Sequence, residues 1–251
     1  SWCGYSDSVV RMKDVVYAYA QDETSQGEYQ TALDALRQLT DYPAAEEPIL
    51  ECRYQLAAQA ENNGHYAQAY AEYIDLGEYK DCADRAAKFE NDYATAQNLL
   101  DAGDYDQAEA GFEALKDYAD ASTMAQEAAY QKGKKQLADG QFDEAKATFE
   151  SLKDYSDAET MVKESVYQKG EKLLAVGDYD GATVAYQAAG DYGDATTKAK
   201  EAQYQKGESL FATGDYDGAI AAYRAAGNYS DAVTKAKEAQ YQKGKAMIAA
   251  G

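Results

Sequence analysis

The chain has 251 residues, with 24 Lys+Arg against 45 Asp+Glu and a formal net charge of −21. So acidic a surface counts against nucleic acid and anionic membranes as partners, because both need clustered basic side chains. A hydrophobic content of 45% that includes 24 tyrosines points to a packed protein rather than a disordered acidic tract.

No uncharged apolar run approaches the roughly 20 residues of a membrane helix, so no direct membrane insertion is expected within this segment. The N-terminal SWCGYSDSVVRMKD lacks the basic-then-apolar layout of a signal peptide. Cys3, Cys52 and Cys82 are odd in number and far apart, which makes neither a disulfide framework nor a zinc site. No cofactor, metal or catalytic residue is expected. His65 is the only histidine, and its slot in GHY is a turn position suited to a surface side chain.

An internal period organises everything else. Tyr17, Tyr54, Tyr93, Tyr130, Tyr167, Tyr204 and Tyr241 are spaced 37, 39, 37, 37, 37 and 37 residues apart. Gly27, Gly64, Gly103, Gly140, Gly177, Gly214 and Gly251 keep the same beat, and so do Tyr42, Tyr79, Tyr118, Tyr155, Tyr192 and Tyr229. Residues 167–203 and 204–240 agree at 28 of 37 positions, so the chain is a tandem array and not a mosaic. We read 1–251 as one array, with divergent repeats over 1–90 and regular ones over 91–251.

In chain order, a long helix A ends at each of the seven glycines, and six shorter B helices come after the first six. In the unit starting at Tyr155, Ala158, Met161, Val162, Val166, Gly170, Leu173 and Leu174 recur at three- and four-residue steps. That is the period of a helix with one broad buried face. Asp157 is placed to accept from free amides at the helix start, and Gly177 suits the left-handed position after the last turn. Tyr179, Ala182, Tyr186 and Ala189 form the stripe of helix B. The 39-residue step falls in KDCADRAAKFEND. Two extra residues rotate the remainder of the helix by about 200°, which predicts a broken or bulged helix near Asn91–Asp92 and a joint between two blocks. Trp2 aligns with Leu39 and Leu76, and the last residue ends a helix A, so a fragment of a longer array is expected.

GDYDGA, at 177–182 and 214–219, opens like a calcium loop. Counting from Asp178, however, the fifth position is Ala182, the sixth Thr183 and the twelfth Ala189, none of which fits. It is read as the turn between helix A and helix B, with optional charges.

Small residues of helix A pair with small residues twelve positions on in helix B, as in Ala57/Ala69, Ala96/Ala108, Gly170/Ala182 and Gly207/Ala219. An aromatic stands four residues later at Tyr73, Phe112, Tyr186 and Tyr223. This pattern resembles the tetratricopeptide repeat, although that family's period is about 34 residues and its helix A tryptophan is missing here. The resemblance implies an all-α fold, a right-handed α-solenoid of stacked helix pairs, acting as a non-catalytic scaffold for a protein or peptide. The D-Y-x-D-A wording also resembles tandem repeats of membrane-tethered bacterial surface proteins, which implies an extracytoplasmic setting rather than a cytoplasmic one.

Glu127, Glu164, Glu201 and Glu238 lie three residues before Tyr130, Tyr167, Tyr204 and Tyr241, on one face of helix A. In the resembled family such positions often line the concave groove, so this ladder is the candidate surface for a basic or extended peptide. Tyr167 shares a stripe with Gly170 and Leu174, and packing between helices is expected ahead of ligand contact. A spacer or end-to-end filament subunit is the first alternative. A carboxylate-based glycan-active enzyme is the second, weakened because the acids recur unit after unit. If binding is at one unique place, the divergent first half is favoured, where Trp2, the three cysteines, Pro43, Pro48 and His65 lie; if it is multivalent, the near-copied units are favoured.

Overall fold

A computed structural model describes residues 3–250, and the side chains of residues 8–249. Trp2 and Gly251 lie outside the described residues. The described chain is all-α, with no strand, and successive helices pack against their neighbours in pairs. Seven long helices are α1 (Cys3–Ser25), α3 (Glu46–Asn62), α5 (Cys82–Asp101), α7 (Ala121–Ala138), α9 (Ala158–Ala175), α11 (Ala195–Ala212) and α13 (Ala232–Ala250). Between them run α2 (Tyr29–Leu36), α4 (Tyr66–Leu76), α6 (Tyr105–Ala114), α8 (Phe142–Leu152), α10 (Tyr179–Ala189) and α12 (Tyr216–Ala226). The chain divides into two compact units, residues 1–128 and 129–251, and the division falls within α7.

Glycine ends the long helices for the reason the sequence suggested. Gly177 and Gly214 both sit at φ +81°, a left-handed conformation that a side chain disfavours. The core of each repeat is one fully buried large side chain of the short helix: Leu36, Tyr73, Phe112, Phe149, Tyr186 or Tyr223. In the second unit a glycine of the long helix makes room for that ring. A Cβ on Gly133, Gly170 or Gly207 would stand 2.7, 2.9 or 2.6 Å from Phe149, Tyr186 or Tyr223. The partner of the small residue is therefore the ring as much as the alanine twelve positions on.

Two expectations are corrected by the fold. The first concerns Asn91–Asp92, where no break exists: α5 is one continuous helix of 20 residues, against 18 in α9 and α11. A Lys88–Asp92 ion pair at 2.8 Å and a bond from Thr95 Oγ1 to the Asn91 carbonyl at 2.8 Å run along this turn. The two extra residues are absorbed as rotation. In α11 the buried positions are Ala195, Ala199, Ala202 and Gly207, whereas in α5 they are Cys82, Ala86, Phe89 and Ala96. The interval from first to last grows by two residues, which turns the end of α5 by about 200° relative to its start.

The consequence is local to the first unit. Phe89 packs on Tyr66, Tyr70 and Tyr118 with ring centroids 5.3, 6.3 and 5.5 Å apart. Asp117 then reaches the start of α4, accepting from the amides of Tyr66 and Ala67 at 2.6 and 3.2 Å. His65, at the N-cap of α4, makes no side-chain capping bond, so an aspartate 51 residues away from Tyr66 caps the helix instead.

The second correction concerns Asp157. It stands at the N-cap of α9 but its side chain makes no capping bond, and Asp194 at the start of α11 behaves identically. Both carboxylates are engaged elsewhere.

Candidate functional site

In Y-x-D-A the aspartate accepts from a tyrosine hydroxyl 27 residues upstream. Tyr93 donates to Asp120 at 2.5 Å, Tyr130 to Asp157 at 2.5 Å, Tyr167 to Asp194 at 2.6 Å and Tyr204 to Asp231 at 2.7 Å. Each tie joins the middle of one long helix to the start of the next. The rings are wedged as well. Tyr130, Tyr167 and Tyr204 each meet the buried ring of the following short helix and the tyrosine of the following loop, with centroids 5.4 to 6.0 Å apart. Edge-to-face contacts of this kind are favourable for aromatic pairs. The carboxylate beside it pushes Tyr93 up to about 12, and Asp194 and Asp231 raise Tyr167 and Tyr204 in the same direction. The cause is that a hydroxyl donating to an anion resists losing its proton.

The acids of the candidate ladder are also occupied. Glu164 and Glu201 are half-buried and accept from Gln168 and Gln205, one turn on, at 2.8 and 3.1 Å. Lys198 approaches Glu201 at 3.3 Å. Glu127 and Tyr130 are half-buried too. Glu238 and Tyr241 are exposed, and Glu238 accepts from Gln242 at 2.6 Å. In the first unit the equivalent acids hold the tyrosines of the third series: Tyr42 donates to Asp14 at 2.9 Å and Tyr79 to Glu51 at 2.8 Å. The structure thus places Tyr130, Tyr167 and Tyr204 in the packed layer between repeats, keeps Glu164, Glu201 and Glu238 bonded to a glutamine of their own helix, and leaves Glu238 and Tyr241 exposed.

A third tie uses the charges of GDYDGA. Asp178 and Asp215 cap α10 and α12, each accepting from the glycine amide three residues on at 2.9 Å. A Cβ on Gly181 would stand against Asp178 Oδ2, so a larger residue there would require the capping carboxylate to shift. The second aspartate, Asp180, receives Lys206 of the next long helix at 2.7 Å, and Lys169 reaches Asp143 the same way. Lys169 and Lys206 thus form ion pairs between successive repeats. The fixed offsets of 26 and 27 residues were present in the sequence. Helical periodicity relates neighbours within one helix and carries no signal at those offsets.

Two rungs differ: beside Tyr54 the aspartate is present but Asp81 Oδ1 is buried without a hydrogen-bond partner, and after Tyr17 the aspartate itself is missing. In Tyr79–Cys82, Tyr118–Ala121, Tyr155–Ala158, Tyr192–Ala195 and Tyr229–Ala232 the second residue is left-handed, with φ between 48° and 52°. Pro43 holds that place in the first loop, and its ring fixes φ near −65°. Asp41 becomes left-handed instead, at φ 56°, and Pro43–Ala45 closes a 3-10 turn. Ala44 stands where the other loops carry aspartate, so the Tyr17 hydroxyl has no acceptor among the described residues. α2 is correspondingly short, with 8 residues against 11 in α10.

A groove of about 750 Å³ opens at this loop, lined by Tyr17, Gln21, Leu36, Pro43, Glu47 and Pro48 among others. Lys80 on its wall pairs with Glu51 and lies 4.5 Å from the centre of the Tyr54 ring. A groove of about 640 Å³ in the second unit differs in kind. There Asp191 holds Lys163 at 2.9 Å, Gln203 donates to Thr183 at 2.9 Å and Lys200 to Asn228 at 3.3 Å. Cys52 and Cys82 are buried and unpaired, and burial pushes both thiols up. Neither the family models nor the curated proteins compared with this chain contain a match to it.

Among the described residues no helix is long and apolar enough to cross a membrane.

Proposed function

We propose that the chain is a non-catalytic scaffold for a protein or peptide, built as a right-handed, tetratricopeptide-like helical array within each unit. The observation that carries this reading is how the chemistry-bearing side chains are used. Recurring tyrosines and aspartates from Tyr93 onward, and the lysines of the second unit, are committed to ties between helices, which holds the surface in a fixed form. A preformed surface loses little entropy on association, which favours binding. The carboxylates an enzyme would need are the same ones: Asp180 and Asp143 hold lysines, and Asp194 holds a phenol.

The test is direct. The chain is immobilised, proteins retained from its source are purified, and each is titrated back by calorimetry. At least one saturable partner is expected, and the reading fails when none binds in solution. The same rigid ties favour a second reading, a spacer or end-to-end filament subunit. Light scattering across a hundredfold range of concentration separates the two, because only the filament grows.

A further inference from the structure

We infer that the groove at the first loop is the docking site for an extended peptide segment carrying one lysine or arginine beside an apolar side chain. This rests on the scaffold reading and names where and what it binds. Three polar groups of the wall, the Tyr17 hydroxyl, the Gln21 amide and the Glu47 carboxylate, make no bond to the protein among the described residues. The other polar side chains of the wall are paired: Thr24 donates to the Ala20 carbonyl at 2.8 Å, Ser25 to the Asp22 carbonyl at 2.7 Å and Tyr79 to Glu51 at 2.8 Å. Lys80 is spent on Glu51. The one uncommitted charge of the groove is therefore the negative charge of Glu47.

Those three groups match a peptide. A carboxylate takes a cationic side chain, and an amide supplies a donor and an acceptor to a peptide unit. A phenol hydroxyl can donate to a backbone carbonyl. Leu36, Pro43 and Pro48 supply the apolar wall, and a volume of about 750 Å³ suits two or three residues of chain. The net charge of −21 draws cationic partners toward the surface from a distance. Tyr93, Tyr130, Tyr167 and Tyr204 spend the equivalent hydroxyl on an aspartate of the next loop, and Asp81 lies beside Tyr54, so among these tyrosines Tyr17 is the one whose following loop lacks the aspartate itself.

The probe is a fluorescein-labelled octapeptide of alternating lysine and leucine, with a glutamate–leucine peptide as control, titrated by anisotropy at physiological salt. Saturable one-to-one binding of the lysine peptide alone is expected. Glu47→Gln weakens it about tenfold, the loss of one charged hydrogen bond. The deciding variant is Pro43→Ser with Ala44→Asp, which writes the wording of Tyr155–Ala158 into the first loop and gives Tyr17 its acceptor. It weakens binding at the groove, whereas association driven by net charge alone would tighten, because a negative charge has been added. Circular dichroism melts establish that each variant is folded. Equal binding of both peptides, displacement by an equivalent concentration of spermidine, or tighter binding by the double variant overturns the inference. Loss of binding on Glu164→Gln with Glu201→Gln, and not on Glu47→Gln, moves the site to the ladder and leaves the scaffold reading standing. No saturable binding of the lysine peptide overturns the groove assignment, and the scaffold reading is then decided by the calorimetric titrations of retained proteins.

Discussion

Tyr42–Ala45 and Tyr192–Ala195 hold the same place in their repeats and end as different structures. The later loop has a left-handed Gly193 and an Asp194 that receives Tyr167, and its tyrosine packs on that same ring. The earlier loop has a proline that forbids the left-handed turn and an alanine whose side chain cannot accept a hydrogen bond. One position alters the backbone, the next removes a tie, and a groove opens. In a repeat array, a unique feature is made more cheaply by deleting a shared contact than by adding a new residue.

The units also differ in how the long helix seats the ring of the short one. The second unit uses glycine, and the first uses Ala57 and Ala96, both buried. The largest expected effect comes from exchanging the two. Gly207→Ala sets a Cβ 2.6 Å from Tyr223. Overpacking costs about 1–3 kcal/mol, and the gain in helix propensity returns about 0.5–1 kcal/mol. A net loss of about 1–2 kcal/mol is expected in urea unfolding, while Gly244→Ala, with open space around it, stabilises.

A smaller effect separates two buried phenols. Tyr73 donates to Glu61 at 2.8 Å and receives Arg85 at 3.3 Å, whereas the Tyr186 hydroxyl is buried without a partner. Tyr73→Phe is expected to cost about 1 kcal/mol. Tyr186→Phe is expected to be neutral or stabilising, because it removes an unsatisfied group. Equal costs in chemical denaturation would show that Tyr186 has a partner in solution.

The tyrosine ties set the alkaline limit. Their folded pKa values are raised above the ordinary value of 10, so the stability they give is complete below pH 10. It is lost as pH rises through the folded values, about 12 for Tyr93. Thermal midpoints should fall between about pH 10 and 12, and absorbance near 295 nm should show phenolate appearing with unfolding.

The smallest effect concerns backbone strain. Ala119 sits at φ 49° where Gly193 occupies the matching place at φ 52°. Ala119→Gly should stabilise the first unit by about 0.5–1 kcal/mol, the left-handed penalty less the added chain entropy. A loss on calorimetric melting would show that the Ala119 methyl packs usefully.

Much of this was legible in the chain. The period, the order of long and short helices, the terminal glycines and the buried stripe come from local spacing, because a helix repeats every few residues. The turn role of GDYDGA was legible as well. Its charges looked optional because their partners lie either three residues away on a backbone amide or a whole repeat away on Lys206. The division at 1–90 and 91–251 describes similarity of sequence, while compactness divides the chain within α7.

What the sequence alone determined is everything set by neighbours along one helix: element type, length and inward face. Tertiary structure decided three things that depend on groups about 27 or more residues apart. It turned Asp157 and Asp194 from caps into acceptors for Tyr130 and Tyr167. It made the two extra residues of α5 a rotation rather than a break, and it brought Asp117 to the start of α4. The physical reason is shared. A polar group takes whichever partner lies nearest after packing, and only the folded chain shows which one that is.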